Sequence, residues 1–318
     1  MPKYRHALPL LSDDIFIMDA GMETTFIFHE GIDLPCFASF DLMKDENGRD
    51  RLRAYYTRFA ELACARGVGF VLDAPTWRAN ADWGARLGFD AAALADVNRR
   101  AIDLLVELRQ RYETPASRMV VSGVVGPRGD GYQTGTIMTA EQAAHYHAAQ
   151  IETFADSEAD MVGAYTLNYV EEAVGIALAA KAVNLPSVIS FTLETDGRLP
   201  SGQNLREAVE QVDAESGAAP AYFMINCAHP THFENLIATG GDWLDRVRGV
   251  RANASSRSHA ELDAAPDLDA GDPVQLGHQY RSLRDRMRHL TVLGGCCGTD
   301  YRHIEQICLA CLPAQQAA

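Results

Sequence analysis

Short apolar runs alternate with longer stretches of helical periodicity from one end of the chain to the other. Ile15-Phe-Ile-Met18 opens the series, and the polar, glycine-containing Asp19-Ala-Gly-Met-Glu-Thr24 closes it, which reads as a strand and its turn. After an irregular excursion over 35–49, the apolar residues Leu52, Tyr55, Tyr56, Phe59, Leu62 and Ala63 recur at helical spacing within 51–66. Val68-Gly-Phe-Val-Leu72 comes next, followed by the loop Asp73-Ala-Pro-Thr-Trp-Arg78 and a helix over 91–112. The same beat recurs at 119–125 with a helix from about Thr139, a suitable N-cap, to Asp156. It recurs again at 161–164 with a helix over 170–183, and at 187–191 with a polar loop to Asn204 and a helix to about Glu215. Tyr222-Phe-Met-Ile225, Arg248-Gly-Val-Arg-Ala252 and Leu290-Thr-Val-Leu293 complete the strands, leading to helices over 231–239, 273–288 and 301–311.

Eight strand–helix units without a linker-like break predict an α/β fold, a (β/α)₈ barrel in a single domain spanning 1–318 with a frayed tail from about 312. A doubly wound open sheet is the competing architecture. In a barrel, every turn that follows a strand converges on the C-terminal rim, where catalytic groups sit. Residues distant in the chain then share one site.

Composition narrows the partners. Lys+Arg 28 against Asp+Glu 43 gives a formal charge of −15, which disfavours nucleic acid and anionic membrane and suits cationic ligands. No apolar stretch approaches the roughly 20 residues of a membrane span, and Met-Pro-Lys-Tyr-Arg-His at the start lacks a signal-peptide core, so a cytoplasmic protein is expected. Seven cysteines point away from a disulfide framework and towards reduced thiols or metal ligands. The sequence leaves assembly into a homo-oligomer open.

Two of those cysteines are adjacent, in Thr291-Val-Leu-Gly-Gly-Cys-Cys-Gly-Thr299, directly after the eighth strand. Glycines around them free the turn to aim both sulfurs at one point, and a soft metal such as Zn²⁺ is the natural shared ligand. Cys227 follows the sixth strand on the same rim, so Cys227, Cys296 and Cys297 predict a catalytic rather than a closed zinc site, with one position left for substrate. His229 and His232 are competing donors but suit supporting or helix-start roles better. Cys308 and Cys311 share a helix face and read as core, Cys36 and Cys64 have no supporting context, and His145 and His147 read as ordinary helix residues.

With these residues in view, the chain resembles the homocysteine S-methyltransferase family. Gly-Gly-Cys-Cys-Gly-Thr after the last strand, Ile225-Asn-Cys-Ala-His-Pro230 after the sixth and Asp19-Ala-Gly-Met-Glu-Thr24 after the first carry the resemblance, together with Gly126-Pro-Arg-Gly129, Ser190-Phe-Thr192 and Asp196-Gly-Arg198. It covers essentially the whole chain and points to the short, cobalamin-independent members. The resemblance implies a zinc barrel in which three cysteines hold the metal and homocysteine sulfur takes the fourth place, within methionine biosynthesis. It also implies that Asp19 holds the acceptor's ammonium group.

The chemistry to be served is displacement of a methyl group from a sulfonium or quaternary ammonium donor by a thiolate, which needs alignment but no general base. Trp77 and Tyr165, after the second and fourth strands, are candidates to hold the cationic donor through cation–π contact. Gly21, Met22, Thr76 and Asn253 are further candidate substrate contacts on the rim. One departure stands out: the family's glutamate after the fourth strand, which binds the substrate amino group, is replaced in Ala164-Tyr-Thr-Leu-Asn168 by Tyr165. A different thiol acceptor, or a zinc-binding or thiol-sensing barrel without methyl transfer, are therefore the alternatives to homocysteine methylation.

Overall fold

The apolar runs form eight parallel strands that pair in chain order and close on themselves, β1 against β8, in a computed structural model that describes residues 1–313. The strands are β1 (Phe16–Ile17), β2 (Gly69–Asp73), β3 (Met119–Val125), β4 (Met161–Leu167), β5 (Ser187–Thr192), β6 (Pro220–Asn226), β7 (Val247–Ala252) and β8 (Val292–Gly295). The outer helices are α1 (Glu46–Arg66), α2 (Ala91–Tyr112), α3 (Ala140–Ala155), α4 (Val170–Ala182), α5 (Leu205–Ser216), α6 (Pro230–Ala238), α7 (Pro273–Arg286) and α8 (Tyr301–Cys311). The architecture is a (β/α)₈ barrel, and the open doubly wound sheet is excluded by the β1–β8 pairing. Residues 314–318, within the tail expected to fray, lie outside the described residues.

Helix starts follow local chemistry. Asp45, Asp90 and Asp300 each accept a backbone N–H at a helix start, and Thr139 with Gln142 makes a reciprocal capping box worth about 1 kcal/mol. Because Asp45 caps it, α1 begins at Glu46 and takes in Asn47 and Gly48, which composition alone assigns to an irregular segment. Short helices Ala81–Arg86 and His259–Asp263 lie in two connections where the apolar pattern shows no element. Their few apolar residues give too little periodicity to show in the sequence.

Two apolar layers hold the barrel. One lies between sheet and helices and includes Tyr56, Phe59, Phe154, Phe191 and both Cys308 and Cys311, as their helix-face spacing predicts. The other fills the barrel interior with Phe16, Val71, Val120, Val188, Tyr222 and Met224. Leu8 and Leu10 join this inner cluster from the N-terminal segment. That segment is tied across the floor of the barrel by Lys3 and Tyr4 N–H groups on Asp160, whose other oxygen pairs with the buried Arg109 at 2.7 Å. His147 is not an ordinary helix residue: it is buried 2.9 Å from Glu172, which also accepts the Arg128 N–H at 2.8 Å and so pins the loop after β3 to α3 and α4.

Candidate active site

The rim at the ends of β4, β5 and β6 is tied by one side chain. Asn226 Oδ1 accepts the Thr166 N–H (2.9 Å) and the Ser190 hydroxyl (2.7 Å), and its Nδ2 donates to Thr166 Oγ1 (2.8 Å). These bonds hold two non-glycine residues in left-handed backbone geometry, Thr166 at φ 62° and Cys227 at φ 51°. Such conformations cost on the order of 1–2 kcal/mol each and persist where surrounding bonds fix them. The consequence at Cys227 is a sulfur turned into the barrel mouth. β4 carries a register irregularity between Ala164 and Leu167, so it runs past the four residues that the apolar pattern shows.

The second pair of sulfurs is set by β8. Cys296 N–H donates to the Ala252 carbonyl (2.8 Å) and the Cys297 carbonyl accepts the Ala254 N–H (3.0 Å), while Thr299 Oγ1 donates to the Cys296 carbonyl (2.7 Å). Gly21 is required underneath, since a Cβ there would stand 2.5 Å from the Cys296 oxygen. The three sulfurs of Cys227, Cys296 and Cys297 lie within 4.8 Å of one another. Cys227 and Cys296 are joined sulfur to sulfur, a pairing not expected from the cysteine count, and Cys297 is free. Thiols that can bond to each other can equally converge on one soft cation, so the donor set fits Zn²⁺ once reduced. Burial pushes the Cys297 thiol up to about 11 in the metal-free protein. A bound cation is what would strip its proton at neutral pH.

Neither histidine joins the sulfurs. His229 accepts the Thr231 N–H and caps α6, and His232 meets the Ser256 carbonyl at 2.9 Å, the supporting roles their sequence positions suggest. Tyr132, on the loop after β3, stacks on His259 at 4.0 Å and brings its hydroxyl 3.7 Å from Cys297 Sγ. Sequence reasoning gave Tyr132 no role, because nothing in a glycine-rich loop marks which way its aromatic turns.

Below the sulfurs lies an inner cavity of about 90 Å³, and its floor is charged. Arg251 reaches from β7 across the mouth, donating from Nη2 to Asp19 Oδ1 (2.6 Å), from Nη1 to Asp73 Oδ2 (2.7 Å) and from Nε to the Gly295 carbonyl (3.1 Å). Burial alone would weaken its hold on the proton, but Asp19 and Asp73 more than reverse that, and its pKa is raised. Burial also pushes the Asp73 carboxyl up to about 6 against the opposing pull of Arg251. Asp19 is raised by burial too, and its second oxygen accepts the Tyr55 hydroxyl at 3.2 Å. Both Asp19 oxygens thus accept a hydrogen bond from this chain, and each keeps a further lone pair toward the cavity that Asp19 lines.

The remaining predicted residues separate clearly. Met22, Trp77 and Tyr165 line the inner cavity with Asp19. Trp77 also lines an outer cavity of about 360 Å³, where Asn253 lies with its Oδ1 unpartnered among the described residues. Trp77 donates Nε1 to the Tyr165 carbonyl (3.2 Å) and already carries the Arg78 guanidinium 4.0 Å over its ring. The Tyr165 ring faces Arg251 at 5.3 Å. Gly21 and Thr76 line neither the inner nor the outer cavity. Thr76 is fully buried with its hydroxyl donating to the Val124 carbonyl at 2.8 Å, so it braces β2 against β3. Arg251 and Asp73 were missed by sequence reasoning; the available signal was a charged residue at the C-terminal end of a strand that closes into a barrel.

Known proteins resemble this chain over nearly its full length. A family model described as homocysteine S-methyltransferase matches residues 16–311. Homocysteine S-methyltransferase 1 of Brassica oleracea var. italica is 21% identical over 313 residues, covering 92% of this chain and 91% of that protein. The Arabidopsis thaliana protein of the same name is 22% identical over the same span. Among solved structures, the homocysteine methyltransferase MmuM of Escherichia coli in its oxidised form superposes with a TM-score of 0.70 at 19% identity, covering 96% of this chain and 98% of that one. The metallated form of MmuM gives 0.68 at 19% identity, with 96% and 99% covered. At that identity the two structures attest the fold.

Proposed function

The chain belongs to the homocysteine S-methyltransferase family of enzymes, and from that premise we propose that it moves a methyl group from a sulfonium or quaternary ammonium donor to a thiol at a zinc site, with homocysteine as acceptor and methionine as product. The observation that carries the proposal is the convergence of the Cys227, Cys296 and Cys297 sulfurs at the barrel mouth. Reduction of the Cys227–Cys296 pair frees the three donors, and these residues would hold the metal. When bound, zinc supplies the positive charge that keeps a substrate thiol deprotonated at neutral pH.

The chain's own residues do the positioning. Asn226 and Thr166 fix the Cys227 backbone, and the Tyr132 hydroxyl beside Cys297 is placed to hydrogen-bond its sulfur. Met22, Trp77, Tyr132 and Tyr165 give the cavities apolar, aromatic walls that exclude water and suit a methylated cation. The acceptor sulfur attacks the donor's methyl carbon; a carbon–sulfur bond forms as the bond to the sulfonium or ammonium centre breaks, and the donor leaves as a neutral sulfide or amine. Because the nucleophile arrives as a thiolate, no general base is needed, and alignment of the three reacting atoms supplies much of the acceleration. The thiol chemistry fits a reducing compartment such as the cytoplasm, and among the described residues no helix is long and apolar enough to cross a membrane.

Reduced, zinc-loaded protein is expected to methylate homocysteine, and Cys296→Ser to lose both bound zinc and at least about 1,000-fold of the rate. Full zinc content and full transfer in that variant would end the proposal. A second reading, a thiol-sensing barrel without methyl transfer, draws on the Cys227–Cys296 pairing. Turnover with any thiol and methylated donor removes it.

A further inference from the structure

The floor of the inner cavity holds an unmet demand for hydrogen bonds at one spot. Asp19 has both oxygens engaged, by Arg251 and by Tyr55, and Asp73 gives its Oδ2 to Arg251. Asp73 Oδ1 has no partner among the described residues, although the side chain is only 5% exposed. The Tyr165 hydroxyl is likewise buried and unpartnered among the described residues. The two groups line the same cavity, and the Ser122 and Tyr165 hydroxyls are near enough to influence the Asp73 carboxyl without making a hydrogen bond of good geometry to Oδ1, the Ser122 hydroxyl donating instead to the Gly123 carbonyl. A buried carboxylate oxygen is costly to leave unmatched, so an empty position beside it points to a ligand donor.

Charge counting gives the sign of that ligand. Two carboxylates, Asp19 and Asp73, meet one guanidinium, Arg251, in an enclosed space, which leaves one negative charge uncompensated. Hydrogen bonding gives its type. The methylated centre of a sulfonium or quaternary ammonium donor carries no N–H and cannot satisfy Oδ1, whereas a primary ammonium has three donors to share between Asp73 Oδ1 and Tyr165 Oη. The same cavity is lined by Cys227, Cys296 and Cys297 at its other side, and at about 90 Å³ it takes a small molecule.

Building on the thiol methylation proposed above, we propose that Asp73 and Tyr165 together form the seat for the ammonium group of a small aminothiol acceptor whose sulfur lies at the cysteine rim. Asp73 thereby supplies the carboxylate from β2 and Tyr165 the hydroxyl from β4. The pairing is geometrically natural, since side chains of alternate barrel strands share an interior layer. Gly163 completes it: an added Cβ would meet the Tyr165 ring at 2.7 Å and its hydroxyl at 2.9 Å, so only glycine lets the ring fold down to this level.

The test compares homocysteine with 4-mercaptobutanoate, its analogue without the amino group, as acceptors for the reduced, zinc-loaded enzyme. It also compares the binding of methionine with that of 4-(methylthio)butanoate by calorimetry. Asp73→Asn is expected to raise KM for homocysteine and Kd for methionine about 100-fold while changing both values for the des-amino compounds by less than about threefold. Tyr165→Phe, which leaves the Asp73–Arg251 pair in place, is expected to give the same selectivity at about fivefold, and it decides the matter if Asp73→Asn does not fold. Equal losses on the amino and des-amino compounds, or no loss on either, overturn the assignment. So does finding the selectivity in Glu23→Gln instead, Glu23 being the other carboxyl on this cavity. If wild-type protein methylates neither thiol, the transfer reading fails by itself, and methionine calorimetry still reads the ammonium seat.

Discussion

The cysteine rim and the charged floor, one above the other in the same barrel mouth, are built on opposite principles. At the rim the backbone places the chemistry: Cys227 sits in a left-handed conformation braced by Asn226, and Cys296 lies on Gly21 with no room for a Cβ. On the floor the backbone is ordinary strand, and position comes from charges that cross the barrel, Arg251 from β7 meeting Asp19 and Asp73 at the ends of β1 and β2. The rim carries the adjacent cysteines of the chain's most distinctive motif, whereas the floor takes Asp73 and Arg251 from stretches that no motif marks. The lesson is that a barrel can keep its reacting atoms fixed by turns while recognition is rewritten by exchanging side chains on the strands below.

The largest test of this division is Arg251→Met. It leaves Asp19 and Asp73 buried without their counter-charge, and should destabilise the fold by about 3–5 kcal/mol at pH 7 by urea unfolding. The sign with pH follows: as pH falls the buried, unpaired carboxylates take up protons, so the variant's deficit should shrink. A deficit that did not change with pH would mean that Arg251 acts by packing alone. Asn226→Ala attacks the other region, and should weaken zinc binding about 10–100-fold in a competition titration with a chelator, without altering the preference for aminothiols. Loss of that preference would show that rim and floor are not separable.

The mildest test uses pH on the intact protein. Among the groups facing Asp73, Arg251 keeps its proton because its pKa is raised, and Tyr165 and Tyr222 stay neutral because burial raises theirs. Asp19 is paired with Arg251 and Tyr55. Asp73 titrates at about 6, and below that it loses its charge. Methionine affinity should therefore fall as pH drops through about 6, up to about tenfold per unit, and Asp73→Asn should lack the inflection. An unchanged inflection in the variant would assign it to another group.

Much of the rim was legible in the chain. Apolar runs marked every strand, Thr139 marked a helix start, and the cysteines could be placed on one rim by counting strands. The floor was not legible, for a physical reason. Asp19, Asp73 and Arg251 are separated by up to 232 residues, and their meeting depends on the barrel closing so that β7 faces β1 and β2. Periodicity identifies a strand but says little about which partner a charge will cross the mouth to find. Arg251 therefore looked like a strand residue, and its bridge to Asp19 and Asp73 left no trace in the pattern. Tyr132 failed for a related reason, because the loop after β3 owes its path to packing on His259, a contact between segments that are both irregular in sequence pattern.

The N-terminal segment bears on how such a site fills. Leu8 and Leu10 pack into the apolar cluster inside the barrel, and at the cysteine rim the inner cavity shares Trp77, Tyr132 and Cys297 with the outer one. Two chambers that share a wall in this way would impose a queue on two guests: one settled in the inner chamber would enter first and leave last.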